Sequence, residues 1–444
     1  MKDGRKILFI IDSYQQYQTY IQTQSLKEIR DDAVFIVNPK LANMDFGVFG
    51  DRIFSYSYPE RKDILHRHIF NININRRRHK RFWIRSIWFK PHQKRIYWFL
   101  SLPIVHHLVK FIFLQFTKDK NLTRLVKKIN PDIVVIPSHA FEGMPVELIR
   151  IAKKIKTPSF MVIDNWDTLA NRTLFTIKPD YLGVWSEQQI DHAILSNNMF
   201  PGRMFILGAP KFSVYMKPET ALQPSPYPFK YVLYVGMSDL FDELGALRKL
   251  DEAIERQKLD IKIVYRPNIS QHTRKCPDVF FEYDFRHVIL DTPARSYYKK
   301  MASWDISQDG FNPIYYPDFS YYPKLLSNME FMICAHSTMI LEALLFNKKI
   351  YLLAYDDGFH RFGPHWAFEN AGHLFGIERL KNVRMVRKKE DLGKIFTSGD
   401  ELKIHEPIEP LDIDYFISKE ATANYAVNFK KAVNDIMDIY SSKR

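Results

Sequence analysis

The chain has 444 residues, 46% hydrophobic and 15% aromatic, more than one ordinary core holds, so two domains are expected. Its two cysteines, Cys276 and Cys334, stand in no CxxC or other zinc-type spacing, and a reducing cytosol fits them. The formal net charge of +14 looks like a nucleic-acid signal until it is located: residues 64–118 hold twelve Lys or Arg and no Asp or Glu, leaving about +2 elsewhere.

The opening "MKDGRKILFIIDSYQQY" carries a short apolar run without a small-residue cleavage site, which predicts a first strand and not a signal peptide. Further strand-length runs follow at 33–38, 132–137, 159–164, 181–186 and 204–209, with amphipathic stretches such as "EGMPVELIRIAKKIK" (142–156) between several of them. Continuous apolar strands alternating with helices predict a parallel sheet covered on both faces. Residues 1–215 are therefore expected to form a Rossmann-like domain with a basic, aromatic insertion at about 64–118.

In that insertion, "RRRHKRFWIRSIWFKPHQKRIYWFLSLPIVHHLVKFIFLQF" (76–116) places nine Lys or Arg in its first twenty residues. Pro103, His106, His107 and Lys110 interrupt its apolar second half, against a transmembrane helix and in favour of interfacial burial. Arg76, Arg77, Arg78, Lys80 and Arg81 are expected to attract an anionic inner-leaflet surface, with Trp83 and Trp88 as anchors at headgroup level. The location implied is cytoplasmic, peripheral on the inner face of the cytoplasmic membrane. The same patch also fits a long loop packed on the first domain. Nucleic acid is not expected, because no nucleic-acid fold motif accompanies the patch.

Four prolines in "MKPETALQPSPYPF" mark 216–229 as a linker. A second series of strands and helices predicts another Rossmann-like domain at 230–415, with strands at 231–236, 261–267, 331–337 and 349–354 and helices at 243–257 and 338–346. Residues 416–444 are helical in pattern and are expected to pack back on the first domain. The fold class is α/β, two doubly wound domains whose ligands belong at the carboxyl ends of the strands.

Within "FMICAHSTMILEALLFNKKIYLL" (331–353) the apolar pattern breaks at His336, Ser337 and Thr338 and keeps one carboxylate, Glu342, inside the next helix. Hydroxyls at a helix start suit phosphate, and a carboxylate one turn later suits ribose hydroxyls. Capping of a core helix explains the same residues. Arg266 ends a predicted strand, where a guanidinium grips phosphate, and Gly236 and Ser238 follow another. Asp12, His139, Glu142, Asp164 and Asp167 lie at or just after strand ends of the first domain; Asp167 and His139 are the favoured catalytic pair, although Asp164 and Asp167 also suit capping.

The segments 183–213 and 336–358, with "IVYRPN" (263–268) and "DNWDTLANR" (164–172), resemble bacterial cell-surface polysaccharide glycosyltransferases of the GT-B architecture. Capsule Kdo transferases and CDP-glycerol glycerophosphotransferases are looser kin. The resemblance implies a metal-independent enzyme without cofactor that moves a sugar from a nucleotide donor to a glycan or lipid-linked acceptor. Ser337 and Thr338 would bind the donor phosphates and Glu342 the ribose, with His336 and Arg266 in the same pocket. Asn268 stands where His is common, and "GAPKFS" lacks the usual acidic ending. The alternatives are a CDP-polyol phosphotransferase, a nucleotide-sugar epimerase and a non-catalytic nucleotide-sugar binding module.

Overall fold

Strand β1, Ile7–Ile11, is buried along its whole length, as a central parallel strand requires. The computed structural model describes residues 5–77, 90–138, 142–172, 174–221, 223–237, 241–268, 280, 283–293, 320–397 and 410–442. The chain divides into two compact units, one of residues 1–213 with 414–444, the other of residues 214–413.

In unit 1, β1 is joined by β2 (Ala33–Val37), β3 (Ile53–Ser55), β4 (Ile133–Ser138), β5 (Ser159–Ile163), β6 (Tyr181–Val184) and β7 (Met204–Ile206). Their order is β3-β2-β1-β4-β5-β6-β7, and every pairing is parallel, with Ile7 opposite both Ala33 and Ile133. Alternation of side chains along β1 divides the core. Leu8 and Ile10 join a cluster with Leu148, Ile149 and Ile151 of the helix Gly143–Ile155. Phe9 and Phe160 meet Phe429 of the C-terminal helix Tyr425–Ser441 at ring-centroid distances of 6.1 and 6.0 Å. Arg5 adds a hydrogen bond to Asn434 of that helix at 2.8 Å, so the C-terminal segment belongs to this unit.

In unit 2, β8 (Tyr231–Val235), β9 (Lys262–Arg266), β10 (Val288–Leu290), β11 (Phe331–Cys334), β12 (Lys349–Leu353) and β13 (Val383–Val386) form an all-parallel sheet in the order β10-β9-β8-β11-β12-β13. The helix Glu243–Gln257 starts where Asp242 accepts a hydrogen bond from Gly245 N and ends at Lys258 in the left-handed region. Its Ala246, Leu247, Leu250 and Ile254 pack on the sheet core. The proline-rich stretch expected as a linker opens with the short helix Pro218–Ala221, and the unit boundary falls just before it, between Ser213 and Val214.

In unit 1 the long helix Glu60–Arg77 lies against the start of Gly143–Ile155, and Gly143 makes that approach possible. A Cβ there would stand 2.8 Å from both the His66 and the Tyr58 rings. His66 is buried, and neither of its ring nitrogens has a hydrogen-bond partner among the described residues. Burial lowers it to about 4 against the pull of Asp63. A folded pKa below the unfolded one means that the unfolded chain binds the extra proton between about pH 6.5 and 4, so stability is present above that window and falls through it as pH falls. His66→Leu is expected to gain about 3 kcal/mol relative to wild type as pH drops from 7 to 4, measured as the difference in urea unfolding free energy. A pH-independent difference would show that the imidazole is not buried neutral.

Candidate functional site

The order of the unit 2 strands reverses between β8 and β11, which opens the crevice where such sheets bind ligands. Gly236 directly follows β8, Arg266 is the last residue of β9, and His336, Ser337 and Thr338 follow β11. The helix after β11 runs Met339–Leu345; Ser337 Oγ accepts from Met339 N at 3.3 Å, while Thr338 occupies the capping position without a side-chain cap bond. Glu342 is buried in that helix, and its Oε2 accepts the Tyr215 hydroxyl proton at 2.8 Å. Burial first, and the Glu342 carboxylate second, hold the Tyr215 phenol well above its ordinary range, so it stays a donor. A carboxylate has about four acceptor positions, which leaves Glu342 capacity for ligand hydroxyls.

Arg266 Nη2 donates to Tyr322 OH at 2.7 Å, with the guanidinium carbon 4.9 Å from the centre of that ring. Both Arg266 and Glu342 act electrostatically on Tyr215 and on Tyr322, so the two charged groups belong to one polar cluster. Behind it Asp291 accepts hydrogen bonds from Tyr227, at 2.7 Å, and from Tyr321. Burial raises Asp291, against those hydrogen bonds and the Arg266 charge. Tyr215, Tyr322 and Asp291 were not singled out from the sequence, because the tyrosine of "FSVYM", the tyrosine pair of "SYYPK" and the acid of "VILDT" carry no spacing signal. Gly236 has a packing role: a Cβ would lie 2.8 Å from Glu243 Oε2 and 2.9 Å from Asn268 N. Ser238 lies outside the described residues.

In unit 1 the strand order reverses between β1 and β4. Asp12 follows β1, and its Oδ1 accepts from Asn38 Nδ2 at 3.0 Å. Burial pushes the Asp12 carboxyl up to about 6; Asn38 opposes the shift, and the nearby carboxylates of Glu142 and Asp63 add to it. Gln16 ties three strand ends together: its Oε1 accepts from Asp12 N at 2.8 Å, and its Nε2 donates to Pro137 O at 3.0 Å and to Asp164 Oδ2 at 3.1 Å. Asp164 also accepts from Tyr20 OH at 2.8 Å, and as a buried member of this network it has a bracing role. Asp167 is half-buried in the turn before Thr168–Arg172, next to Trp166, whose indole donates to Gln188 Oε1 at 2.8 Å. His139 lies outside the described residues. Asp12 thus stands at the unit 1 reversal with its carboxyl raised toward neutral pH by burial.

The segment 183–213 seats the end of the chain. Ser186 Oγ donates to Phe416 O at 2.9 Å, Ser418 N to Trp185 O at 3.2 Å, and Ala209 N to Thr422 Oγ1 at 3.1 Å. Of the expected membrane residues, Arg78, Lys80, Arg81, Trp83 and Trp88 lie outside the described residues, and Arg76 and Arg77 end the helix Glu60–Arg77. Among the described residues, no group of three or more His, Cys, Asp or Glu side chains is placed to hold a metal ion.

No family model and no curated protein matches the chain. Solved structures do. The S. aureus MnaA–UDP co-structure aligns over 97% of both chains at 11% identity with a TM-score of 0.52. UDP-GlcNAc 2-epimerase from Methanocaldococcus jannaschii, in complex with UDP-GlcNAc and UDP, aligns over 96% of this chain and 99% of its own, at 13% identity and a TM-score of 0.48. The apo form of the lipopolysaccharide outer core galactosyltransferase WaaB aligns over 97% and 99%, at 11% identity and a TM-score of 0.45. At such identities the likeness is one of fold. The chain has the GT-B fold of two Rossmann-like domains.

Proposed function

We propose that the protein is a GT-B glycosyltransferase that moves a sugar from a nucleotide-activated donor to a glycan or lipid-linked acceptor in surface polysaccharide synthesis. The observation that carries this reading is the unit 2 cluster: Arg266, which ends β9 and donates to Tyr322, and Glu342, which lies in the helix after β11 and accepts from Tyr215, both act electrostatically on the same two tyrosines. Arg266 with the hydroxyls of Ser337 and Thr338 suits a diphosphate, and Glu342 suits ribose. In such a transfer the acceptor hydroxyl loses its proton to a base as the new glycosidic bond forms and the bond to the nucleoside diphosphate breaks; the candidates for that base are Asp12, Asp167 and His139. Arg266 would stabilise the charge of the departing diphosphate.

A second reading, a UDP-sugar epimerase, rests on the shared fold of a protein solved with UDP. Thermal shifts with UDP-, GDP-, CDP- and CMP-linked sugars would identify the base, since a ligand of the folded state raises stability by mass action. Product analysis then separates the readings. Free sugar or transferred sugar supports the glycosyltransferase, an interconverted nucleotide sugar the epimerase, polyol phosphate a phosphotransferase, and binding without turnover a silent module.

Glu342→Ala is expected to weaken donor binding by about 1.5–3 kcal/mol, the scale of a hydrogen bond to a charged group. It also removes the acceptor that Glu342 offers the buried Tyr215 hydroxyl at 2.8 Å, so stability falls as well. Adding Tyr215→Phe removes the donor of that bond: the double variant is expected to recover stability but not affinity, in paired calorimetric titrations and melts. Unchanged donor affinity in the folded double variant would make Glu342 a packing residue.

A further inference from the structure

We infer that the helices Pro91–Leu100 and Pro103–Phe116 form a docking surface for a bilayer containing anionic lipid, lying in the plane of its interface. On the second helix Ile104, Leu108 and Phe111 are 86%, 59% and 63% exposed at spacings of four and three residues, and so share one outward arc. Ile112 borders the arc, and Phe116, 72% exposed, ends it. On the first helix Ile96, Trp98 and Phe99 are each more than half exposed. Soluble surfaces seldom gather so many large apolar side chains without a partner for them.

The opposite faces are fastened to unit 1. His106 is buried with its Nε2 2.7 Å from Asn73 Oδ1, and Asn73 Nδ2 donates to Thr176 Oγ1 at 3.1 Å. Tyr97 is buried with its hydroxyl 2.8 Å from His68 Nδ1. His106 thus faces inward, while His107 is exposed on the same arc as Ile104, Leu108 and Phe111. The two helices are apolar enough for a span only when taken together, and they meet at a bend of 95°; among the described residues no single helix is long and apolar enough to cross a membrane. At 1.5 Å per residue, ten and fourteen residues fall short of a hydrocarbon core about 30 Å thick. Such helices lie in an interface.

Charge selects the occupant. The stretch 64–118 holds twelve cations and no acid, and Lys90, Lys94, Arg95 and Lys118 are exposed on or beside these helices. Two copies of so cationic a surface repel each other, and nucleic acid offers no matching phase for the aliphatic side chains. An anionic lipid surface supplies both partners, charge for the cations and acyl chains for the apolar arc. The inference is independent of what the unit 2 cluster binds.

The test is co-sedimentation of the full chain, without donor, with phosphatidylcholine vesicles with and without phosphatidylglycerol. Wild type is expected to prefer the anionic vesicles and to come off as salt rises, since attraction is screened over about 10 Å at 0.1 M salt. Leu108→Glu with Phe111→Glu, both at exposed positions, should lower partitioning by about tenfold or more, with an unchanged melting curve as the folding control. Lys94→Gln with Arg95→Gln should lower only the salt-sensitive part. Wild-type binding that ignores lipid charge, or that survives the double Glu variant, overturns the inference. So does a monomer–dimer equilibrium in sedimentation velocity that the double Glu variant abolishes, or tighter salt-sensitive binding to single-stranded RNA than to vesicles. Each of these outcomes leaves the donor reading standing, because no donor enters the experiment.

Discussion

Asp12→Asn is expected to lower turnover by about a hundred- to ten-thousandfold while donor affinity stays near wild type, the range found when a general base is removed. The amide keeps the shape of the side chain and its bond with Asn38 but has no basic oxygen. In wild type, kcat/KM should rise with pH through about 6, where the carboxylate forms, and the variant should lose that arm. Stability is expected to move the other way. A folded pKa of about 6 against an ordinary value of 3.8 means that the folded protein holds the proton longer, so stability is fully present below about pH 3.8 and is lost as pH rises through 6. The variant avoids that loss and should be more stable than wild type at pH 8 by up to about 3 kcal/mol in urea unfolding. An inactive but more stable variant is the signature of a carboxylate kept in an unfavourable place for chemistry. If Asp12→Asn retains turnover and Asp167→Asn abolishes it, the base is Asp167.

The central strands were legible in the sequence because burial on both faces writes itself as an unbroken apolar run. "ILFII" and "YVLYV" are buried at every position and sit at the middle of their sheets. The strands that the sequence did not reveal, β3, β10 and β13, are sheet edges of three or four residues, "IFS", "VIL" and "VRMV", too short to show a period or a run. The positions of the residues proposed for the donor were legible for a related reason. Apolar runs that end in a break place Arg266 at the end of β9 and Ser337 after β11, with Glu342 in the helix that follows. Their tyrosine partners were not, since Tyr215 and Tyr322 lie far along the chain from the charges they pair with. Asp12 looked like any acid at a strand end; only its proximity to Glu142 and Asp63, which no spacing reveals, sets it apart from Asp164, which Tyr20 and Gln16 hold in place.

Gly208→Ala is expected to destabilise unit 1 by about 2–5 kcal/mol, although the change adds one methyl group far along the chain from β1. Two causes add. Gly208 has φ +78°, in the left-handed region, where an L side chain costs roughly 1–2 kcal/mol. The new Cβ would also collide with Thr422 N and fall 2.5 Å from Thr422 Cα and 2.6 Å from Ala421 C. These are backbone atoms of the C-terminal segment and have no rotamer by which to move aside, so overpacking adds about 1–3 kcal/mol. Relief requires lifting the segment from its seat, which breaks the bonds of Ala209, Ser186 and Trp185 to residues 416–422 and loosens the hold of Phe429 on the sheet. Thr422→Ala removes only one of those hydrogen bonds and should cost about 1 kcal/mol. Urea unfolding followed by tryptophan fluorescence reports on the buried Trp166 and Trp185 beside this seat, and limited proteolysis should cut the Ala variant near residue 420 first. A Gly208→Ala protein within about 1 kcal/mol of wild type, uncut at that site, would show that the "LGAP" turn is spared by ligand chemistry and not by this contact.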